Sequence, residues 1–452
     1  LLTGASAGPL IRAAARRPNV VMFMTDDHGA WANGFGGCAE MATPNLDALA
    51  RSGLQFTSAY AATPVCSPSR MTWMTGRMPS THGVQDWLAP RDSFGPQSRR
   101  WLEGHPAWSE ALAGAGYTLG MCGKWHMGLD DTAQAGFSYW ASVPGGGGPY
   151  RGAEFVANGR KVVKEGFKED AIGDFALEFL DKAHKSPFAL LMPFYAPHTP
   201  YDFQPAQDRT LHESSSFSCF PNEPAHPWQN KGLRRHHGNR ESKLAYSALI
   251  TAMDRNVGRV VRRLEQLGVR GETLIIFTSD QGWNAGHHGV WGKGNGTIPF
   301  NMYEESIRVP LLWNLPGAIK PGSTAAMVSN YDFRLTLLDY LGIGAPEDPK
   351  SPGRSYASVL RGGGSAERRT LYFEYSYVRA LRTDRWKYVH RAEGHPSELF
   401  DLASDPGERK NIIAEASRDA ARLRRDLDMF FSRLGAPPLE SWRSTTRQQI
   451  PE

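Results

Sequence analysis

Scarce cysteine, no long apolar run and no block of one charge mark this sequence, and each shortage removes a class of protein. The four cysteines, Cys38, Cys66, Cys122 and Cys219, never form a Cys-x-x-Cys pair. That argues against a zinc ribbon and against a thioredoxin-type redox motif. If Cys66 is taken up by chemistry, at most one intramolecular disulfide can form among the other three, so the count leaves the redox compartment open. No stretch approaches the ~18 apolar residues of a membrane span. Lysine and arginine total 51 against 46 aspartate and glutamate, a net charge of +5 without a long basic run. This balance suits an anionic substrate and carries no footprint of a nucleic-acid partner. The run Gly292-x-Gly294-x-Gly296 has the wrong spacing and context for a dinucleotide fingerprint, and His287-His288 reads as loop rather than as zinc spacing. No internal repeat or low-complexity tract is present.

What remains is an ordinary globular composition, 40% hydrophobic and 21% charged, over 452 residues. That length suits one large α/β domain with a smaller one beside it. Thirteen tryptophans are many; core packing accounts for most, and some suit the wall of a sugar or aryl pocket. The chain starts without methionine, and Leu1 to Ala15 is rich in small residues, with Ala5-Ser6-Ala7 and Ala13-Ala14-Ala15. Residues 1–17 read as an export-signal remnant, with twin-arginine export as one form, or as a disordered end.

Chemistry-bearing residues sit at the ends of short apolar runs. Val20 to Met24 reads as a buried parallel strand and stops at Asp26-Asp27. Two acids there need a partner, a ligand or a metal, unless they only cap a turn. Tyr117 to Cys122 reads as a strand followed by Lys124 and His126, two apart and so on one face of an extended chain. Phe188 to Phe194 leads to His198, held between Pro197 and Pro200. Thr273 to Thr278 ends at Asp280-Gln281. Three carboxylates and an amide oxygen at one sheet edge would make a hard oxygen cage fit for Ca²⁺ or Mg²⁺ rather than zinc. Glu241 to Leu267 is a strong amphipathic helix whose apolar stripe is core.

Other stretches are read more coarsely. Gly53 to Tyr60 is expected as one strand, and Leu311 to Leu315 as another. Residues 142–166 and 203–240 are expected as irregular loops, the second a possible substrate lid. The predicted organisation is a catalytic α/β domain over 18–341 with a large, mostly parallel sheet flanked by helices. A C-terminal unit over 342–452 follows, with a small antiparallel sheet and one helix.

The organising stretch is Cys66-Ser67-Pro68-Ser69-Arg70, opening a helix that runs to Gly76. Cys66 would lie at the positive end of the helix dipole, with Arg70 one turn on; the plain alternative is a buried core cysteine. Cys-x-Pro-Ser-Arg resembles the signature of the sulfatases, a branch of the alkaline phosphatase superfamily. Matching stretches follow in family order from Asn19 to Asn411, including Gly123-Lys124-Trp125-His126, Ser279-Asp280-Gln281-Gly282 and Leu399-Phe400-Asp401-Leu402.

The resemblance implies an alkaline phosphatase-like fold and a sulfuric ester hydrolase. It implies that a maturation enzyme oxidises Cys66 to Cα-formylglycine, whose hydrate attacks sulfur. Asp26, Asp27, Asp280, Gln281 and the modified Cys66 would hold one divalent ion, Ca²⁺ or else Mg²⁺. Asp280 would act as base toward the attacking hydroxyl, His198 with Lys293 would protonate the leaving alcohol, and His126 would assist release of sulfate. Arg70 and Lys124 would hold the modified residue and the sulfate oxygens. Gln281 departs from the family's Asn or His, Lys293 is spaced farther from Tyr303 than expected, and no residue is assigned to the family's sulfate-contacting serine. The implied substrate is a sulfated small molecule or glycan, met by an exported, periplasmic or secreted bacterial protein. Two alternatives stay open: a phosphonate monoester or phosphodiester hydrolase of the same superfamily, and an inactive sulfated-glycan-binding homologue.

Overall fold

The computed structural model describes residues 17–364, 369–392 and 394–441. The expected export remnant lies outside these residues except for Arg17. A ten-stranded sheet forms the centre, in the order 322–324, 54–56, 311–314, 273–279, 19–25, 188–193, 118–123, 139–142, 151–157 and 160–167. The five strands from Thr273–Ser279 to Tyr139–Ser142 are parallel. The middle strand, Asn19–Thr25, is buried throughout. Its side chains alternate between two cores, Val21 and Phe23 on one face and Val20, Met22 and Met24 on the other. A strand covered on both faces has no polar side to show, which is why it reads as a continuous apolar run.

Helices Lys168–Ala183 and Arg240–Gln266 cover the first face, and Cys66–Thr75, Trp108–Gly114 and Phe333–Tyr340 the second. The long helix starts where the Asn239 side chain accepts the Ser242 N–H at 3.2 Å, and its stripe of Leu249, Met253, Val257, Val260 and Leu264 is buried. Six tryptophans, among them Trp108, Trp140 and Trp313, are fully buried.

The C-terminal sheet is antiparallel, Thr370–Tyr375, Val378–Thr383, Trp386–Arg391 and Glu398–Asp401, with helix Ser417–Arg433 laid on it through Leu423, Leu427 and Phe431. Its core is continuous with Tyr60, Ala62 and Val65, the segment leading into the Cys66 helix.

Two expectations are corrected. Residues 53–60 are not one strand: Leu54–Phe56 joins the large sheet, while Ala59–Tyr60 pairs with Val328–Ser329 in a separate one. The chain breaks between them because the Thr57 carbonyl accepts from Arg308 at 2.9 Å and the Thr57 N–H donates to Thr324. Residues 142–166 are not a loop throughout. Arg151–Ala157 and Arg160–Phe167 form a hairpin at the sheet edge, turning at Asn158 and Gly159 with φ of 48° and 80°. Asn-Gly is the residue pair such a tight turn demands, but the exposed edge carries so many charges that alternation is hard to read. The strand Leu311–Asn314 runs antiparallel to Thr273–Ser279.

Candidate active site

Four adjacent parallel strands end at the same sheet edge and deliver the candidate residues together. Asn19–Thr25 leads to Asp26 and Asp27, Thr273–Ser279 to Asp280 and Gln281, Phe188–Pro193 to His198, and Thr118–Gly123 to Lys124 and His126. Carboxyl ends of parallel strands are where open α/β sheets place ligands. The Cys66–Thr75 helix, every residue of it buried, points its first turn at this edge. The loop carrying Lys293 is tied to it by the Gly294 N–H, which donates to the Pro64 carbonyl at 3.2 Å.

The charged groups interlock. Arg70 donates to Asp280 Oδ2 through Nε at 2.9 Å, and its Nη2 lies 2.8 Å from the same oxygen and 3.4 Å from Asp26 Oδ2. A further nitrogen of Arg70 donates to the Lys124 carbonyl, and Lys124 Nζ pairs with Asp26. Lys293 Nζ lies 2.6 Å from Asp27 Oδ1 and 2.8 Å from Cys66 Sγ. The Cys66 thiol donates to Asp26 Oδ1 at 3.3 Å. His198 Nε2 stands 3.7 Å from Asp27 Oδ2. Nine of the ten residues singled out from the sequence are joined by hydrogen bonds and ion pairs, Gln281 through Asp26 and Asp27, and His126 lines the same cavity without bonding to them. Ligand atoms of Asp26, Asp27, Cys66 and His198 lie within 4.8 Å of one another. Asp280 belongs to the network through Arg70 and through its Oδ1, which accepts the Gln281 N–H at 3.0 Å.

Burial and neighbouring charge set the proton affinities. Burial alone would raise Asp26, but Lys124, His198, Lys293 and Arg70 override it and hold the carboxyl well below its usual range. Burial and then the Asp26 charge push Asp280 up to about 7, against the pull of Arg70. Burial, reinforced by Asp26, pushes the Cys66 thiol up to about 12. Burial also lowers His198 to about 4 and His126 well below its usual value. Burial would lower Lys293, but Asp27 and the thiol keep it firmly charged. His126 Nε2 faces the Leu88 carbonyl at 2.8 Å, so that nitrogen carries the hydrogen. Its Nδ1 keeps a lone pair, buried and without a partner.

The donor set fits a hard divalent ion. Gln281 Nε2 sits 3.1 Å from Asp26 Oδ1 and 2.6 Å from Asp27 Oδ1, while its Oε1 is buried and unpartnered. Turning the amide end for end aims that oxygen at the point where both carboxylates converge.

A cavity of about 300 Å³ opens onto Cys66, Lys124, His126, His198 and Lys293. A larger cleft of about 540 Å³, lined by Phe35, Met41 and Arg51, holds none of the candidate residues. Pattern reading missed several residues that shape the site. Tyr195 and Trp87 line the cavity. Gly146, at φ 66°, lies so close to the His126 ring that a Cβ there would fall 2.3 Å from Cδ2. Lys168, at 3.7 Å over the Tyr195 ring, donates to the Gly147 and Gly148 carbonyls at 3.1 and 2.7 Å. Asp130 is wholly buried, within reach of the Lys124 charge and of the Gly145 and His126 backbone. The glycine run at 145–148 was the only available sign; a lysine and an aspartate next to other acids look like surface.

Comparison with known proteins agrees with this geometry. The sulfatase family model matches residues 18–343, and a model described as N-sulphoglucosamine sulphohydrolase, C-terminal, matches 286–431. An N-acetylglucosamine-6-O-sulfatase of Bacteroides thetaiotaomicron is 28% identical over 89% of this chain and 83% of its own. An ulvan-active sulfatase of Formosa agariphila is 28% identical over 91% and 80%. Human arylsulfatase A is 28% identical over 94% and 89%. A solved structure in complex with its substrate D-glucosamine-2-N,6-O-disulfate superposes with a TM-score of 0.80 at 26% identity, covering 94% of this chain and all of that one. With well over half of its length matched by the family model and the same architecture throughout, the chain belongs to the sulfatase family.

Proposed function

We propose that the chain hydrolyses a sulfate monoester carried by a carbohydrate, with Cys66 converted to formylglycine and one divalent ion, Ca²⁺ or else Mg²⁺, beside it. One observation carries this reading. Cys66 opens the buried helix at the mouth of the cavity, its Sγ 2.8 Å from Lys293 Nζ and 3.3 Å from Asp26 Oδ1, in the midst of the cations and acids. Burial and the Asp26 charge push its thiol up and disfavour the free thiolate, so a cysteine so placed suits conversion to an aldehyde hydrate. The hydrate of the aldehyde supplies an oxygen nucleophile, and the ion supplies Lewis-acid stabilisation of developing negative charge. Asp26, Asp27, Asp280, Gln281 and the converted residue would hold the ion.

The remaining roles belong to the chain's own side chains. Arg70, Lys124 and Lys293 balance Asp26, Asp27 and Asp280 in charge, so an added divalent ion leaves an excess that an anionic ester offsets. Asp280 offers a carboxylate at the same strand end as base toward the attacking hydroxyl. His126 offers the bare Nδ1 as a second base. His198 Nδ1 donates to the Thr199 carbonyl, so a proton taken up on Nε2, which the approach of the anionic ester favours, is available to the departing alcohol. Lys293 stays charged beside it.

The carbohydrate substrate is supported by relatives named for N-acetylglucosamine and ulvan and by the glucosamine disulfate complex. Export is supported by the Cys38–Cys219 disulfide, a bond that persists in oxidising compartments. No helix among the described residues is long and apolar enough to cross a membrane. The test is expression with a formylglycine-generating enzyme, mass spectrometry of the Cys66 peptide, and a screen of sulfated sugars against aryl sulfates and phosphodiesters. An unconverted thiol in a preparation that still turns over sulfate esters would sink the reading.

A further inference from the structure

We propose that Lys231, Arg234 and Arg235 form a second anion-binding strip at the mouth of the cavity, so that the preferred substrate is a glycan chain with several negative groups. This rests on the sulfate-ester reading above. The segment bearing the three cations is bound to the loop that carries Lys293 and Asn295, both of which line the cavity. The Asn230 N–H donates to the Gly296 carbonyl at 2.8 Å, and the Ile298 N–H to the Trp228 carbonyl at 2.8 Å. Gln229 accepts the Trp291 N–H at 2.7 Å and donates to the Trp291 carbonyl at 3.2 Å. The His236 ring stacks on Trp291. Asn230 Oδ1 accepts the Gly232 N–H at 2.9 Å, which fixes the turn. The cations are therefore held at a set distance from the site rather than on a free loop.

All three are exposed. Among the described residues none has a carboxylate within salt-bridge reach, and Arg235 meets only His236. Several arginines elsewhere on the protein do have acidic partners, while Arg240, next along the chain, reaches only the Ser215 and Glu213 carbonyls. Arg209 pairs with Glu241, Arg255 with Asp170 and Asp208, Arg259 with Asp174, and Arg263 with Asp181. Three like charges gathered in five residues repel one another and are stabilised by a polyanion, whose sulfates or carboxylates flank the ester seated at Cys66. A cavity of about 300 Å³ has room for little beyond the reacting sugar, so flanking groups must lie outside it.

The experiment compares the converted enzyme with a Lys231→Gln, Arg234→Gln, Arg235→Gln variant and with a charge-matched control, Arg418→Gln, Arg425→Gln, Arg433→Gln. Substrates are an aryl sulfate, a tetrasaccharide with one sulfate, and a tetrasaccharide with a sulfate or carboxylate on every residue. Losing three exposed contacts should raise KM for the polyanionic tetrasaccharide about tenfold at low salt, with kcat unchanged. The other two substrates and the control variant should be unaffected, and the variant should lose most of the salt dependence. Equal KM values for enzyme and variant on the polyanion, or an equal rise in the control, overturn the strip while leaving the sulfatase reading intact. No turnover of any sulfate ester by the converted parent overturns that reading itself.

Discussion

Replacing Arg70 by alanine tests whether the buried network is held by one guanidinium. Arg70 is 2% exposed and reaches Asp280 at 2.8 and 2.9 Å, Asp26 at 3.4 Å and the Lys124 carbonyl. Alanine leaves two buried carboxylates facing each other without that cation. Removing one partner of a buried pair costs about 3–5 kcal/mol, because the other charge stays buried and unpaired. Over 452 residues, an unfolding entropy of about 2.1 cal/mol/K per residue turns about 4 kcal/mol into a fall in melting temperature of about 4 °C. Asp280, which the Arg70 charge holds down against burial and Asp26, would rise further. We expect kcat to fall about a hundredfold or more. Arg70→Lys keeps the charge but loses the fork that spans Asp280 and Asp26, and should recover the melting temperature more than the rate. The measurements are calorimetry with and without Ca²⁺ and single-substrate kinetics on an aryl sulfate. An alanine variant that melts within about 1 °C of the parent and keeps its rate would refute the argument.

Three further outcomes are expected. Burial raises Asp130 from 3.8 to about 8, so the unfolded chain binds its acid proton less tightly, and stability is lost as pH climbs through that window. Asp130→Asn should abolish that slope, and at about pH 8 should melt above the parent; parallel melting curves across pH would contradict this. The Cys38–Cys219 bond closes a loop of 181 residues, worth about 5 kcal/mol in the chain-entropy account. Cys38→Ser with Cys219→Ser should unfold at clearly lower denaturant, and an unchanged midpoint would count against a formed bond. Gly146→Ala would push a Cβ into the His126 ring from a backbone at φ 66°, so turnover should fall at least tenfold while the melting temperature drops by no more than a few degrees. Full activity in that variant would show that the ring position is not critical.

The parts of this protein that could be read without coordinates are those where local chemistry and the global fold agree. Val20 to Met24 is apolar because both faces of the central strand are covered, and an acid pair at its end is too costly to be incidental. The stripe of the Arg240–Gln266 helix is regular because one side meets the sheet. The C-terminal strands are short and separated by turn residues, so a small antiparallel sheet is found where one was expected. The hairpin at 151–167 was missed because its edge position leaves Arg160, Lys161 and Glu165 in solvent, which masks the period.

The residue types of the site, their order and the family likeness are properties of the sequence alone, because a cysteine before Pro-Ser-Arg and acids after apolar runs are local features. Which of them touch is not local. Lys293 stands next to Cys66 only because Gly294 bonds to Pro64, a contact across more than two hundred residues. The choice of Cys219 rather than Cys122 as partner of Cys38, the raised proton affinity of the Cys66 thiol and the tie between Asn230 and the loop carrying Lys293 likewise depend on packing. Burial and distance fix proton affinity and contact, and both are set only when four strands end at one edge and distant loops close over it.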